Sequence, residues 1–354
     1  MDRSPHIRAV GSALPENYAD QETLIGALRE LWARKHFNVA RFEDLHRAVG
    51  VGGRHLALPV DAYAELDSFG KANAAWTRAA VDIGERATRD ALERAGLAPR
   101  DIDHVFFVTV TGIATPSIDA RLVNRLGLRR DVKRTPIFGL GCVAGAAGTA
   151  RAADYLRAFP DGVALLLAVE LCSLTLQRED LSVANIIASG LFGDGAAAML
   201  LEGGGRREPR GPRVVATRSA FYPDTEELMG WDVVDSGFKV VLSARVPEIV
   251  AANLGRDVDD FLATHELARG DIRHWVAHTG GPKVLEAFHT ALSLPREALE
   301  RSWRSLAEVG NLSSASVLFV LGDLLDAGEA KPGDWGLLCA MGPGFCSELV
   351  LLRW

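Results

Sequence analysis

The feature that most constrains the fold of this chain is an internal repeat. The segment D-I-D-H-V-F-F-V-T-V, which starts at Asp101, resembles D-I-R-H-W-V-A-H, which starts at Asp271. At nearly the same offset, G-C-V-A-G-A-A from Gly141 resembles G-N-L-S-S-A-S from Gly310, and V-A-L-L-L-A-V-E-L resembles W-G-L-L-C-A-M-G-P. The helical segments before the first pair also align. A spacing that is kept over four segments predicts two similar halves, each containing a βαβ unit.

The types of element within each half predict an α/β fold. Apolar runs such as G-V-A-L-L-L-A-V-E-L are typical of strands buried on both faces, and the periodicity from Ala79 onward predicts a long amphipathic helix. Residues 1–75 are interpreted as an irregular cap. The Gly/Arg/Pro-rich stretch at 203–212 is the best linker candidate, so the predicted halves are 1–205 and 206–354.

The composition argues against two classes of partner. The 354 residues carry a formal net charge of −7, and the richest basic cluster, at 206–213, is short and broken by Pro and Gly, so no nucleic-acid surface is expected. The N-terminus lacks an apolar signal core, and the longest apolar run, at 163–169, is too short to insert across a bilayer. Four cysteines without C-x-x-C or disulfide-like spacing indicate a reducing, cytoplasmic location.

The candidate nucleophile is Cys142, in the run F-G-L-G-C-V-A-G-A-A-G. Strand formers precede this run and helix formers follow it, so the pattern predicts a strand, a glycine turn and a buried helix with the cysteine at its entrance. Unpaired N–H groups and the positive end of a helix favour a thiolate at such a position. The alternative is a free cysteine of the core, a residue type that is commonly buried. This stretch alone does not choose between them.

Two further residues join Cys142 through the repeat. Equivalent loops of duplicated halves meet about a pseudo-twofold axis, which brings Cys142 opposite Asn311, and His278 follows the second-half strand where ligands bind open α/β sheets. Taken singly, His278 is a satisfied core histidine and Asn311 a helix N-cap. Taken together in the repeat register, they form a site in which His supports the thiol and Asn donates to an oxyanion or enolate. Without a carboxylate base in the same loops, acyl transfer to carbon is favoured over hydrolysis.

These motifs resemble one enzyme family over nearly the whole chain. F-G-L-G-C-V-A-G-A-A-G, L-F-G-D-G-A-A-A, H-T-G-G-P-K-V-L, G-N-L-S-S-A-S-V-L-F and M-G-P-G-F together are similar to type III polyketide synthases, the chalcone-synthase-like members of the thiolase superfamily. The resemblance implies a thiolase-like fold of five layers, αβαβα. It also implies that Cys142 carries the growing acyl chain, while His278 and Asn311 promote decarboxylation of malonyl-CoA and stabilise the enolate.

The resemblance assigns further positions around the site. The positions that match the family's gate and pocket residues are Phe192, Phe238, Thr111, Thr115, Cys172, Thr175, Pro343 and Gly344. The two gate positions are Phe192 and Phe238. Phe238 matches the family less well, because its flanking residues differ from the plant pattern. For coenzyme A, the matching positions are Arg54, Gly281 and Pro282. An Arg beside a glycine-rich turn is, on its own, usually just solvated.

The substrate and product expected from the resemblance are more specific. Small side chains at Cys172 and Thr175 would free volume beside Cys142, and V-E-L-C-S-L-T and G-R-H-L-A-L-P are most similar to bacterial alkylpyrone and alkylresorcinol synthases. The expected partners are a medium- or long-chain acyl-CoA or acyl-carrier-protein starter, malonyl-CoA (or methylmalonyl-CoA), and a second copy of the chain in a homodimer. No metal or redox cofactor is expected. Two alternatives stay open: a ketoacyl-carrier-protein synthase III with a single condensation, and a silent acyl-binding member of the fold.

Overall fold

The computed structural model describes residues 4–32, 38–206, 208 and 210–354. Two residues of the predicted linker, 207 and 209, lie outside the described residues. The apolar residues of segment 21–34 recur at helical spacing and predict a helix, and its last two residues, 33 and 34, also lie outside the described residues. The boundary predicted after residue 205 stays a prediction.

The described residues form thirteen strands and ten α-helices. The strands are β1 (His6–Ala13), β2 (Asn17–Asp20), β3 (Gly53–Leu56), β4 (His104–Thr109), β5 (Lys133–Phe138), β6 (Val163–Leu171), β7 (Asp194–Glu202), β8 (Arg213–Phe221), β9 (Met229–Val234), β10 (Gly237–Leu242), β11 (Ile272–Ala277), β12 (Trp335–Gly342) and β13 (Cys346–Arg353). The helices are α1 (Gln21–Trp32), α2 (Val39–Ala48), α3 (Phe69–Ala95), α4 (Ile118–Leu126), α5 (Ala144–Ala158), α6 (Val183–Leu191), α7 (Val246–Ala263), α8 (Pro282–Leu292), α9 (Glu300–Val309) and α10 (Ser316–Ala327).

Nine of the strands form one mixed sheet in the order β11-β12-β13-β8-β1-β7-β6-β4-β5. The two halves of the chain meet between β1 and β8, which share a single register pair, His6 with Arg213. On either side of this seam the order is equivalent, with β1-β7-β6-β4 on one side and β8-β13-β12-β11 on the other. In each half the outer pair is parallel and the next pair is antiparallel. The repeat seen in the sequence is therefore a structural repeat of four strands.

Alternate residues of the central strands pack against different helical layers. In β6, Leu165 belongs to the core that contains α3 and α4, whereas Leu166 belongs to the core that contains α5 and α10. In β12, Leu338 packs on the side of α5 and α10, whereas Leu337 packs on the side of α7 and α8. Successive residues of a strand face opposite sides of the sheet, so each half of the sheet lies between two helical layers. The five layers are α3 and α4, the first half of the sheet, α5 and α10, the second half of the sheet, and α7 and α8. The predicted αβαβα arrangement of a thiolase-like α/β fold is confirmed.

Helices α5 and α10 pass very close to each other in the middle layer. A Cβ atom added to Gly145 would lie 2.7 Å from Cγ1 of Val317 in α10 and 2.3 Å from the carbonyl oxygen of Ser314, in the 3-10 turn just before α10. On the sheet side of α5, a Cβ atom added to Gly148 would lie 2.5 Å from Leu166 of β6. The Ala/Gly-rich sequence of α5 permits this approach, since interiors are close-packed. The N-terminal ends of α5 and α10 are thereby brought together, and with them the segments that carry Cys142 and Asn311.

The repeat is incomplete directly before Asn311. Strand β5 leads into the turn of Cys142, whereas the residues before Gly310 form helix α9. The cap, in turn, is more regular than expected, since β2 pairs with β3 and helix α1 packs on α2 and α6. Among the described residues there is no helix with the length and apolar character needed to cross a membrane.

Candidate active site

Cys142 occupies a tight turn between β5 and α5. Gly139 and Gly141 have φ angles of 98° and 56°, in the region that favours glycine, and a Cβ atom on Gly141 would lie 2.7 Å from Cγ of Pro343. A 3-10 turn over Gly141–Val143 continues into α5. The F-G-L-G-C motif thus places the thiol at the entrance of a buried helix, as the sequence predicts.

His278 follows the carboxyl end of β11. Its backbone N–H donates to the carbonyl of Cys339 at 3.0 Å, which continues the pairing of β11 with β12. The side chain is 4% exposed, and its buried Nδ1 has no hydrogen-bond partner within the part of the chain that the structure describes. This is not a core histidine with both ring nitrogens satisfied. The ring retains hydrogen-bonding capacity for a substrate.

The Asn311 side chain interacts with the helical segment that follows it and lies close to Cys142. Oδ1 accepts a hydrogen bond from the N–H of Ser313 at 2.8 Å, which is a capping interaction at the start of the helical segment. The same side chain lies close enough to Cys142 to lower the pKa of its thiol, and both residues line one cavity. The capping and active-site interpretations of Asn311 are therefore compatible, because the same side chain does both.

The three predicted catalytic side chains line one cavity of about 20 Å³. Most of the remaining lining is apolar, and it consists of Leu191, Phe192, Met229, Leu242, Val246, Val250, Gly280, Val284, Phe288, Met341 and Phe345. The three side chains thus lie together, as the internal repeat predicts, and their catalytic roles stay predictions.

Burial sets the charge states of the thiol and the imidazole. Burial raises the pKa of the Cys142 thiol to about 12, although the Ser313 hydroxyl, 3.7 Å from Sγ, and the amide of Asn311 act in the opposite direction. Burial also lowers the pKa of His278 to about 4. Both groups are therefore neutral at pH 7. Desolvation of the charged form thus opposes the thiolate that the helix end is expected to favour, and that expectation stays a prediction.

A buried carboxyl group that the sequence analysis missed lies close to the thiol. Glu170, near the end of β6, accepts hydrogen bonds from the hydroxyls of Ser314 at 2.5 Å and Thr111 at 2.9 Å and from the N–H of Val110 at 3.1 Å. Burial raises its pKa to about 7, and its charge contributes to the raised pKa of Cys142. The sequence does contain an indication, since this glutamate interrupts an otherwise apolar strand.

Phe192 separates the Cys142 cavity from a much larger one, and its side chain lines both. The position is fixed by a bridge to Asn311, whose N–H donates to Leu191 at 2.9 Å and whose carbonyl accepts from Gly193 at 3.0 Å. The predicted gate residue is thus connected through the backbone to a predicted catalytic residue.

The larger cavity has a volume of about 990 Å³. Its wall is formed by α1, β3, α6, β9, β10 and the segment that follows β6, and it includes Cys172, Thr175 and Trp231. Cys172 lies within electrostatic range of Glu170, Asp194 and Cys142, and burial together with the two carboxyl groups raises the pKa of its thiol. Cys172 and Phe192 therefore mark the side of this cavity that faces Cys142.

Phe238 is not at the place expected for the second gate. It is 2% exposed, packs edge-on against Phe69 at 5.3 Å between ring centroids, and lines a cavity of about 10 Å³ with Thr111 and Thr175. Phe238 belongs to the hairpin formed by β9 and β10, and the residues of this hairpin that line the Cys142 cavity are Met229 and Leu242. Residue Leu242 lies four positions further along β10, at the end of the strand nearest α7.

The remaining predicted positions lie at the edges of the site. Thr115 is exposed at the surface of the chain. Pro343 packs against the Cys142 turn, and Gly344 has a φ of 104°. Gly281, with a φ of 121°, and Pro282 begin α8 next to the lining residue Gly280. A role for Gly281 and Pro282 in binding coenzyme A remains a prediction.

Arg54 is placed where it cannot act as a surface clamp for coenzyme A phosphates. It is 2% exposed, and its guanidinium donates to the carbonyls of Ser189, at 2.7 Å, and Gly190 at the end of α6. Burial lowers its pKa to about 10, and the charge of Asp194 opposes that shift. The expected role is corrected: Arg54 caps helix α6, in the turn that leads to Phe192, and also lines the larger cavity.

Comparison with known families agrees with this geometry. Residues 3–205 match the family described as chalcone and stilbene synthases, N-terminal domain, and residues 213–354 match the corresponding C-terminal domain. The chain belongs to the chalcone and stilbene synthase family. It is a type III polyketide synthase, and such enzymes are condensing acyltransferases.

Individual relatives of this family member cover almost its full length. A 1,3,6,8-tetrahydroxynaphthalene synthase of Streptomyces peucetius subsp. caesius is 53% identical over 356 residues, covering 100% of this chain and 94% of the relative. A putative chalcone synthase of Bacillus subtilis (strain 168) is 37% identical, covering 98% of each. The crystal structure of 1,3,6,8-tetrahydroxynaphthalene synthase from Streptomyces coelicolor A3(2), a bacterial type III polyketide synthase, superposes with a TM-score of 0.93 at 33% identity, covering 99% of each chain.

Proposed function

We propose that this synthase loads an acyl starter onto Cys142, extends it by iterative decarboxylative condensation with malonyl-CoA, and cyclises the product to an alkylpyrone or alkylresorcinol. The observation that carries the proposal is the combination of two cavities. One contains Cys142, His278 and Asn311, and the other, of about 990 Å³, begins beside it at Phe192. A condensing centre with adjoining apolar space fits an enzyme that holds a long chain while it forms carbon–carbon bonds.

Loading follows from the neutral state of the thiol and imidazole. A thiolate is the nucleophile, and with its pKa near 12 the Cys142 thiol needs a base at the moment of attack. His278 is neutral and accepts the proton as Sγ attacks the thioester carbonyl. Coenzyme A then leaves as a thiolate and takes that proton, which returns His278 to its neutral form.

Extension uses the hydrogen-bond donors of the same cavity. Malonyl-CoA loses CO2, and the electron pair of the broken bond forms an enolate whose oxygen accepts hydrogen bonds from His278 and from the Asn311 amide. The enolate carbon attacks the acyl carbonyl on Cys142, and Sγ leaves as a thiolate. The donors act in a dry, apolar cavity, where such stabilisation is strongest. Loss of CO2 supplies the carbanion, so the proposed chemistry requires no metal or redox cofactor.

The larger cavity supports an acyl starter of medium or long chain. Ligand cavities usually have volumes of about 300–1,000 Å³, so the 990 Å³ here is near the upper end. Each buried methylene contributes about 0.8 kcal/mol of favourable transfer free energy. A chain attached to Cys142 would enter this space past Cys172 and Phe192.

A second candidate product is favoured by a specific observation. The relative that is 53% identical over the full chain is a 1,3,6,8-tetrahydroxynaphthalene synthase. In this alternative, malonyl-CoA is both starter and extender, and the larger cavity holds the polyketide rather than an alkyl chain.

The decisive experiment is the mass of the product after incubation with malonyl-CoA and acyl-CoA starters from acetyl to palmitoyl. Products whose masses increase with the starter support the proposal. Tetrahydroxynaphthalene from malonyl-CoA alone, with no starter incorporated, supports the alternative, and a single β-ketoacyl product would indicate a ketoacyl-synthase-like reaction. Cys142→Ala should abolish condensation while retaining some decarboxylation of malonyl-CoA. Unchanged product formation by that variant would overturn the assignment of the nucleophile.

The proposal includes three statements about the setting of the enzyme. It acts as a homodimer, in which the exposed Thr115 lies near the partner. It accepts starters from coenzyme A or from an acyl carrier protein. It works in a reducing, cytoplasmic environment, in keeping with four free cysteines, at 142, 172, 339 and 346. An acyl adduct on Cys142, detected by mass spectrometry, would separate an active enzyme from a silent scaffold.

A further inference from the structure

Helix α1 contributes an apolar stripe to the wall of the larger cavity. Leu24, Ala27, Leu28 and Leu31 all line it, and their spacing of three and four residues puts them on one face of the helix. Leu24 and Leu28 are 6% and 8% exposed. None of the four lines the cavity that contains Cys142. The stripe therefore belongs to the part of the space away from the nucleophile.

Ala27 is the smallest member of this stripe. Its neighbours on the same face are leucines, so a methyl side chain leaves room that a larger residue would fill. The preceding residue, Gly26, differs in its surroundings, because a Cβ atom added there meets no atom within 4 Å, and Gly26 does not line the cavity. The two adjacent positions therefore allow the same added side chain to be placed inside and outside the cavity.

The charged residues at the solvent side of the cavity indicate which end of an acyl starter lies there. Four exposed acidic residues contribute to the wall, Glu30, Asp61, Asp67 and Glu179, together with one half-buried arginine, Arg178. The carboxylate of Asp67 is paired with Lys71 at 2.8 Å. Coenzyme A is polyanionic, and the excess of acidic over basic residues makes this side the less favourable one for its phosphates. The thioester therefore enters from the side of Cys142, and the alkyl end of a starter extends toward α1.

We propose that the stripe on α1 sets the length of the acyl starter, with Ala27 as the position that determines where the chain ends. This inference rests on the proposed function, because it concerns the starter held on Cys142. Each methylene that fits into the cavity raises the preference for a starter about fourfold. A side chain at position 27 that occupies the space of about three carbons therefore shifts the preferred starter by about three carbons.

The test measures kcat/KM for a series of saturated acyl-CoA starters with malonyl-CoA, using the wild-type enzyme, Ala27→Leu and the matched control Gly26→Leu. Ala27→Leu should lower kcat/KM for the longest accepted starter by about 60-fold relative to acetyl-CoA, whose chain is too short to reach position 27. The thermal unfolding midpoint of the variant, compared with that of the wild-type enzyme, shows that it is folded. Gly26→Leu should retain the wild-type profile. Leu31→Ala, which enlarges the same space, should move the optimum to longer chains.

The outcomes separate this inference from the function on which it rests. Failure of the wild-type enzyme to use any acyl starter would remove the proposed function. A wild-type enzyme that uses long starters, together with the same length profile in Ala27→Leu and Leu31→Ala, would overturn the inference and leave the function intact. Equal shifts in Ala27→Leu and Gly26→Leu would also overturn it, because the effect would then come from the helix and not from the cavity.

Discussion

The neutral thiol and imidazole determine how the nucleophile of this synthase is used. A permanent thiolate would be exposed to oxidation and would carry a desolvation cost that burial makes large. The raised pKa of Cys142 and the lowered pKa of His278 favour a protonated thiol and an imidazole with a free lone pair before a thioester binds. Charge then develops only during the reaction, when the Asn311 amide and the substrate atoms are in place to stabilise it.

This charge state predicts how fast a small alkylating reagent modifies Cys142. The pKa of the thiol is near 12, so below that pH its thiolate fraction increases about tenfold for each unit by which the pH is raised. The rate of labelling by iodoacetamide should therefore increase about tenfold per pH unit between pH 7 and pH 10. The measurement is the rate of mass increase of the peptide that contains Cys142. The Cys142→Ala variant gives the background from the other cysteines. A rate that is already constant above pH 8 would contradict a raised pKa and restore a stable thiolate.

At the scale of elements, the contact between α5 and the segment that begins α10 controls the relative position of Cys142 and Asn311, two of the predicted catalytic residues. Gly145 follows Cys142 by one turn of helix, and Ser314 follows Asn311 by three residues. A Cβ atom on Gly145 would lie 2.3 Å from the Ser314 carbonyl, a backbone atom that cannot rotate away. The separation of the two helices therefore fixes the distance between the thiol and the amide.

Gly145→Ala should accordingly impair both stability and activity. Overpacking of this kind costs about 1–3 kcal/mol, and the shift of α10 should lower kcat for condensation by more than tenfold. Urea denaturation and product formation measure the two effects. The matched control is Gly70→Ala in α3, where a Cβ atom meets nothing within 4 Å and a gain of about 0.4–1 kcal/mol is expected. Full activity in Gly145→Ala would show that the helix contact does not position the site.

The main elements, and the placement of Cys142, His278 and Asn311 in one cavity, could be predicted because they follow from patterns that are local to the chain or repeated in it. Strands β4 and β11 could be recognised because their sequences are similar, and the register of the repeat predicts that Asn311 lies near Cys142. Helix α9 could not be predicted from the repeat, because it replaces a strand at the one place where the two halves differ.

Other errors concern burial, which depends on contacts between distant segments. Arg54 is next to a glycine-rich turn in the sequence, yet in the fold α6 supplies carbonyl partners that draw it into the interior. Glu170 lies in a strand, as its sequence predicts, but only the packing of the 3-10 turn before α10 against that strand shows that its carboxyl group lies by the thiol. A weak local match predicts a gate at Phe238, whereas in the hairpin of β9 and β10 it is Leu242 that lines the Cys142 cavity.

At the scale of the whole molecule, buried ionisable groups give opposing contributions to stability as pH changes. Burial raises the pKa of Glu170 to about 7 and that of Asp194 to about 6. The folded state therefore loses stability through each group as the pH rises from the ordinary pKa of that carboxyl group to its raised pKa. Burial lowers the pKa of His278 and His46 to about 4, so both destabilise it as pH falls from about 6.5 toward 4. Between about pH 4.5 and pH 6.5 the contributions of the two carboxyl groups and of the two histidines to stability change in opposite directions. The pH dependence of the stability of the wild-type protein therefore does not separate them.

Replacing Glu170 with Gln isolates one of these contributions. The amide has the shape of the protonated carboxyl group and does not titrate, so the variant loses the penalty that the wild-type protein acquires between about pH 4.5 and pH 7. A raised folded-state pKa means that the folded protein holds the proton more tightly, and the free energy of unfolding of Glu170→Gln relative to wild type should therefore increase with pH, by up to about 3 kcal/mol over that interval. Urea denaturation at pH 5, 6, 7 and 8 measures the difference, with Glu16→Gln, at an exposed position, as the matched control. A difference that stays constant over this range would mean that Glu170 is already ionised in the folded protein, and its hydrogen bonds with Ser314 and Thr111 would then be those of a carboxylate throughout.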